Sequence, residues 1–267
     1  MPTRAQDSNK GTFGKVLNFA GSKNYVGAAY LSTVAVLKSG AGYVALASDK
    51  NIIRTVSSIL PEAVYLSRFD GLRSIEKFNI IMLGCGLGKS FFSRILFKKI
   101  IKKLQQSAKP LLIDADGLNI LAEIDIKLPQ TTVITPHPLE ASRLLACSVD
   151  EVLADLEGTA KRLTQKYNCV TVLKCHNSVI CNKNLEIYIN KSGNSALAKA
   201  GSGDVLAGII SGLLAQKMEI FEAVKLGVYL HGRCGELASE ELTEYSVLAS
   251  DITKYLPLAI KEINQQL

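Results

Sequence analysis

Aromatic side chains are scarce in this sequence: they make up 6% of 267 residues, tryptophan is absent, and they are not interleaved with the lysines. A stacking platform for single-stranded nucleic acid is therefore not expected, although the formal net charge is +7. A small anionic ligand remains as a reason for that balance. No stretch of about 18 apolar residues runs free of charges or turn signals, so no membrane span is expected. The six cysteines are scattered and none forms a C-x2-C pair, which excludes the common zinc spacing and does not suit a disulfide framework. Reduced thiols, mostly buried as small hydrophobes, are expected. Internal repeats, low-complexity tracts and long Gly/Ser/Pro linkers are all missing, so residues 1–267 read as a single domain. The first fifteen residues, MPTRAQDSNKGTFGK, lack the apolar core of a secretory signal, and a cytoplasmic location is expected.

What is present is an alternation of short apolar runs with helical patterns. Val16–Ala20, Tyr43–Ala47, Ala63–Leu66, Ile80–Leu83, Leu111–Ile113, Val133–Thr135 and Val170–Leu173 are strand candidates. Most are continuous and rich in Val, Ile and Leu, as in a parallel sheet covered on both faces. A Gly-Ser loop and a helix over about Gly27–Lys38 link the first two strands into a βαβ unit. Lys98, Lys99, Lys102 and Lys103 alternate with Ile and Leu at helical spacing, the pattern of a wet helix face. Ser148-x-x-Glu151 predicts a capping box opening one helix to about Tyr167. Ser178–Cys181 and Glu186–Ile189 flank Asn182-Lys183-Asn184 as a hairpin. Helices are expected near Asp204–Ala215, Ile220–Leu237 and Val247–Ile263. The fold class is α/β, one doubly wound domain.

Four loops carry chemistry. In Gly201-Ser202-Gly203-Asp204, small residues precede an apolar helical run. A phosphate could approach the free N–H groups of that helix, and Asp204 beside it could deprotonate an attacking hydroxyl. The same four residues also fit a glycine turn with Asp204 as N-cap. Thr135-Pro-His-Pro-Leu-Glu140 follows a strand, where ligands sit in open parallel sheets. His137 could bind a polar substrate and Glu140 could act through water on a metal or phosphate; a structural histidine and a first-turn acid fit equally. Gly84-Cys-Gly-Leu-Gly88 is glycine-rich but fails as a dinucleotide fingerprint, its spacing being G-x-G-x-G with no acid at the ribose distance. Asp114-Ala-Asp116 puts two carboxylates at a strand end, suited to magnesium–phosphate or to an Asx turn. Gly208 and Gly212 read as helix-packing positions.

Taken in order, Gly21-Ser22, Gly27-Ala28-Ala29, Gly40-Ala41-Gly42, Gly84–Gly88, Asp114–Asn119, TPHPLE at 135–140, Lys174 and NSALAKAGSGDVLAGII at 194–210 resemble the NAD(P)H-hydrate dehydratase family. The resemblance runs from about Lys10 to Leu258. It implies a ribokinase-like three-layer αβα fold with a central, mostly parallel sheet and no separate lid domain. It also implies dehydration of the S epimer of hydrated NADH and NADPH (NADHX and NADPHX) with ADP or ATP as co-substrate and Mg²⁺. The hydroxyl at C6 would be phosphorylated and phosphate then lost. Asp204 matches the catalytic base, and Ala29, Gly86 and His137 match substrate contacts. Lys174, Cys175, His176, Asn177, Ser178, Gly201, Ser202 and Gly203 match the adenine-nucleotide site. No protein side chain is expected as a dedicated metal ligand.

Two departures stand out. The family usually has Gly where this chain has Ala200, a strained substitution if φ is positive there. It also usually has Gly after the strand-end lysine, where Cys175-His176 stands. The resemblance further implies a homotetramer and dependence on a separate epimerase for the other epimer; the composition gives no membrane or nucleic-acid partner to expect. A vitamin kinase of the same fold, acting on a hydroxymethylpyrimidine or hydroxyethylthiazole, shares the G-x-G-D turn, and a silent nucleotide binder is a third reading.

Overall fold

The computed structural model describes residues 1–265. The first half of the chain runs β1 (Lys15–Phe19), α1 (Val26–Lys38), β2 (Tyr43–Ser48), α2 (Lys50–Ser57), β3 (Val64–Ser67), α3 (Arg68–Ser74), β4 (Ile80–Leu83), α4 (Phe91–Leu104), β5 (Leu111–Ile113), α5 (Asp116–Ala122) and β6 (Thr132–Ile134). Then come α6 (Pro138–Leu145), α7 (Val149–Ala154), α8 (Leu156–Tyr167), β7 (Val170–Leu173), β8 (Val179–Cys181), β9 (Ile187–Ile189), α9 (Ser202–Ala215), α10 (Ile220–Ser246) and α11 (Ala249–Gln265).

The strands form one 9-stranded sheet in the order β3-β2-β1-β4-β5-β6-β7-β8-β9. Pairing is parallel through β7 and antiparallel across the β7–β8–β9 edge. Because successive strand residues point to opposite faces, Ile80 and Met82 enter one core layer while Ile81 and Leu83 enter the other. Both faces are covered, so these strands need no polar side, which is why they read as continuous apolar runs. Each fully buried Leu or Ile contributes roughly 1.5–3 kcal/mol relative to exposure.

On one face α9 is buried almost all round, against α1, α10 and α11. A helix apolar on every side needs such surroundings. Gly208 and Gly212 let it approach α1: a Cβ would meet the Ser32 carbonyl oxygen at 2.4 Å or Ser39 Oγ at 2.3 Å. The four lysines of α4 lie exposed, with Ile100 and Ile101 beneath them.

Two expected boundaries differ. The helix expected over residues 148–167 is two helices, broken at Asp155, whose side chain accepts from Gly158 N at 2.8 Å and starts α8 afresh. The capping box at Ser148 and Glu151 is present and opens α7. The helix expected to end near Leu237 continues to Ser246, with a kink at Thr243. All six cysteines are free thiols, and Cys85, Cys169, Cys181 and Cys234 are buried. Among the described residues, no helix is long and apolar enough to cross a membrane.

Candidate active site

Strand order reverses at β1: β2 and β3 lie to one side, β4 to the other. That switch point opens a crevice at the carboxyl ends of the strands. The loops after β1, β4, β5, β6 and β7 begin there, and they carry Gly21, Gly84–Gly88, Asp114, Thr135–His137 and Lys174.

Glycine makes this crowding possible at two places. Gly84 has φ 129°, and a Cβ there would lie 2.0 Å from the Asp114 carbonyl oxygen, so the β4 and β5 loops could not cross. Gly86 has φ 59°, and its Cβ would strike Tyr25 Cβ at 2.5 Å, the start of α1.

At the base of the crevice the Asp114 carboxylate, 1% exposed, accepts from Thr135 Oγ1 at 2.8 Å and pairs with Lys174 Nζ at 2.7 Å. Glu140 lies 3.8 Å from the same ammonium. Burial pulls the Lys174 amine down, but Asp114 and Glu140 outweigh it and hold the amine above its ordinary range. Glu140 closes a capping box with His137 at the start of α6, accepting from the His137 backbone N–H at 2.9 Å. Burial pushes its carboxyl up to about 7 against the pull of Lys174. The His137 ring is lowered from its ordinary value by burial and then by Lys174, and 45% of its side chain remains exposed.

Asp204 faces this cluster from α9. Gly201 caps the helix with φ 91°, and Asp204 sits in the first turn rather than at the N-cap. A Cβ on Gly203 would be 3.3 Å from Lys174 Nζ, so the glycine turn lies directly against the ammonium. Burial, reinforced by the nearby Asp114 carboxylate, pushes Asp204 up to about 7. Ligand atoms of Cys85, Asp114 and Asp204 all lie within 4.8 Å of one another. The arrangement holds free helix N–H groups, a cation and a carboxyl of near-neutral proton affinity at one point. That combination suits transfer of a phosphoryl group to a hydroxyl.

A model of the family described as NAD(P)H-hydrate dehydratase matches residues 16–258. The chain belongs to that family. It is 36% identical over 244 residues to the ADP-dependent (S)-NAD(P)H-hydrate dehydratase of Neisseria meningitidis, covering 89% of this chain and 81% of that one. It is 35% identical to a bifunctional NAD(P)H-hydrate repair enzyme of Thermofilum pendens, over 99% of this chain and 53% of that one. The chain thus spans about half the length of such bifunctional relatives. The ADP/ATP-dependent NAD(P)H-hydrate dehydratase of Bacillus subtilis, crystallised with ATP and Mg²⁺, superposes with a TM-score of 0.88 at 31% identity, over 98% of this chain and 94% of that one. An Enterococcus faecalis protein of the ribokinase-like superfamily gives 0.88 at 30% identity, over 97% of this chain and 91% of that one. The fold is ribokinase-like.

Set against the dehydratase pattern, the structure gathers Lys174, Gly203 and Asp204 at one point, with Glu140 and His137 beside them. Lys174 points into the carboxylates rather than along its own loop. In that loop Cys175 Sγ donates to the Asn177 carbonyl at 2.9 Å and Ser178 Oγ to that of Cys175 at 3.2 Å, while His176 and Asn177 are exposed. Asn177 lines a concavity of about 600 Å³ with Val179, Leu153 and Lys161, which includes none of the carboxylate cluster. Ala29 is fully buried, its methyl facing Gly21; the exposed surface of that turn belongs to Tyr25 and Gly27. Ala200 is not among the residues with positive φ, so the departure there costs no backbone strain. That freedom is needed at Gly201.

Two residues were missed from sequence. Arg68, just after β3, donates to the Gly21 carbonyl at 2.7 Å and pairs with Asp49 at 3.2 Å, tying the loops after β1 and β2 together. His231, on α10, reaches the glycine turn from behind. Neither lies in a motif, and only tertiary packing brings them to the crevice.

Proposed function

We propose that this chain converts the S epimer of hydrated NADH and NADPH back to the reduced dinucleotides, with ADP or ATP as phosphoryl donor. The observation that carries the reading is Asp204: a carboxyl of near-neutral proton affinity, in the first turn of α9 and against Lys174. Asp204 takes the proton from the C6 hydroxyl as its oxygen attacks the terminal phosphoryl group. The first-turn N–H groups of α9, approached past Gly201, Ser202 and Gly203, and the Lys174 ammonium hold the phosphoryl oxygens. Phosphate then departs from C6 with loss of a proton from the neighbouring ring carbon, restoring the double bond. Hydroxide leaves poorly, and phosphorylation turns it into a good leaving group.

Magnesium fits this site in one way. Cys85 puts a thiol within 4.8 Å of ligand oxygens of Asp114 and Asp204, which does not suit a hard cation, so the trio is not a magnesium cage. Mg²⁺ usually binds through one or two carboxylates together with water and substrate phosphates. Glu140, buried beside Lys174, is the residue that would hold it through water. When bound, the ion neutralises charge on the phosphates.

His137, Gly86 and the turn around Ala29 are assigned to the dinucleotide, and Lys174–Ser178 to the adenine nucleotide. A cytoplasmic homotetramer, with a separate epimerase feeding the other epimer, completes the proposal. Chromatography of a reaction with ADP tests it: the reading requires one AMP and one phosphate for each NADH formed. Accumulation of a phosphorylated ring product without NADH would favour a kinase of the same fold.

A further inference from the structure

His231 lies on α10 and is 8% exposed. Its Nε2 stands 3.0 Å from the Ser202 carbonyl oxygen and 3.0 Å from Ser202 Oγ, the first helical residue of α9. A carbonyl oxygen can only accept, so Nε2 must carry the hydrogen. The ring therefore sits as the Nε2–H tautomer, and the Ser202 hydroxyl, meeting a donor there, keeps its own hydrogen for another acceptor.

We propose that His231 is a positioning residue for the phosphate-binding turn, clamping Ser202 from behind so that Gly201–Asp204 keeps its shape and the first-turn N–H groups of α9 stay aimed at phosphate. The need for a clamp is local. Gly201 takes φ 91°, in the left-handed region, and a Cβ there would lie 2.6 Å from Leu31 Cδ1 and 3.1 Å from Ala249 Cβ. α1 and α11 thus close one side of the turn, and His231 fixes it through Ser202. A neutral imidazole suits the place, because a lysine or arginine would add a second cation beside Lys174 and compete for Asp204. Burial, with Lys174 adding to it, lowers the ring to about 4, so it stays neutral at working pH.

The proposal rests on the assignment of this turn to phosphate, and its test has arms that fail separately. Calorimetry with ADP and with ATP, alongside kcat and KM for hydrated NADH, would compare the wild type with His231→Leu, His231→Gln and Ser202→Ala. Loss of one buried hydrogen bond at the turn predicts nucleotide Kd weakened on the order of tenfold in His231→Leu. kcat should fall while KM for the dinucleotide stays near the wild-type value. His231→Gln, whose amide can donate to the same carbonyl, should recover most of the loss. Ser202→Ala keeps the carbonyl clamp and should lose less nucleotide affinity than His231→Leu. In the wild type, side-chain ¹⁵N shifts should show the Nε2–H tautomer for one of the three histidines, a readout that needs no variant to fold. Unchanged nucleotide affinity in a folded His231→Leu, equal loss in the Leu and Gln variants, or a buried Nδ1–H tautomer would each overturn it. ADP binding can be read even if hydrated NADH is not turned over, which separates this proposal from the assigned activity.

Discussion

Asp204 is the base in the proposed reaction, and its environment suits a carboxylate to that role near neutral pH. Burial raises its proton affinity first and Asp114 adds to it, while Cys85 and Lys174 oppose the rise. Asp204→Asn should lower kcat by roughly 10²–10⁴, the range for a lost general base. Near-normal turnover in that variant would remove Asp204 from the role. Asp114 acts on it through charge. With Asp114→Asn, one negative neighbour goes and Lys174 loses its closest partner, so Asp204 should titrate lower. The rising limb of the pH profile of kcat/KM, expected near 7 in the wild type, should move toward acid; a limb that stays in place would show that Asp114 does not tune the base. Asp204 and His137 could be found from sequence because they stand in dense motifs. The Asp114–Lys174 pair could not, since 60 residues separate its members.

Among the elements, α9 explains why glycines recur in a buried helix. Gly208 faces the Ser32 carbonyl on α1, where a methyl would lie at 2.4 Å, and neither backbone can yield cheaply. Gly208→Ala should therefore cost about 1–3 kcal/mol, the range for overpacking a close-packed contact. Urea unfolding would show a lower midpoint at unchanged slope. Gly27→Ala is the control: its Cβ meets nothing within 4 Å, so the change should stay within about 0.5 kcal/mol. Equal losses at both positions would mean that the contact with α1 does not decide the cost, since helix propensity by itself favours alanine. The strands were legible because both faces are buried and the apolar runs are continuous. The break at Asp155 was not: the periodicity carries on across it, and only the side-chain cap on Gly158 starts a new helix.

Across the whole molecule, buried carboxyls gathered at one end of the sheet make stability depend on pH. Asp204 and Glu140 both hold protons more tightly folded than unfolded. Between about pH 4 and pH 7 the unfolded chain releases those protons while the fold retains them, so their contribution to stability is present at acid pH and fades as pH rises through that window. The melting temperature of Asp204→Asn, relative to the wild type, should accordingly rise with pH across the same range. A constant difference would mean that Asp204 titrates alike in both states. Sheet class and the main site loops could be read from sequence because a doubly wound fold places strand-end loops in one crevice. The antiparallel β8–β9 pairing was legible too, as the hairpin around residues 182–184, whereas strand order and the approach of α10 to the glycine turn are long-range outcomes with no local signature.

Nucleotide-dependent restoration of the reduced nicotinamide ring separates the dehydratase from a kinase or a silent nucleotide binder. The most direct measurement is the absorbance band of that ring after adding the protein and Mg²⁺ to purified S-epimer NADH hydrate, with ADP, with ATP and with neither. A rise that needs a nucleotide is the expected result. A folded protein giving no rise with either nucleotide, or the same rise without one, would contradict it.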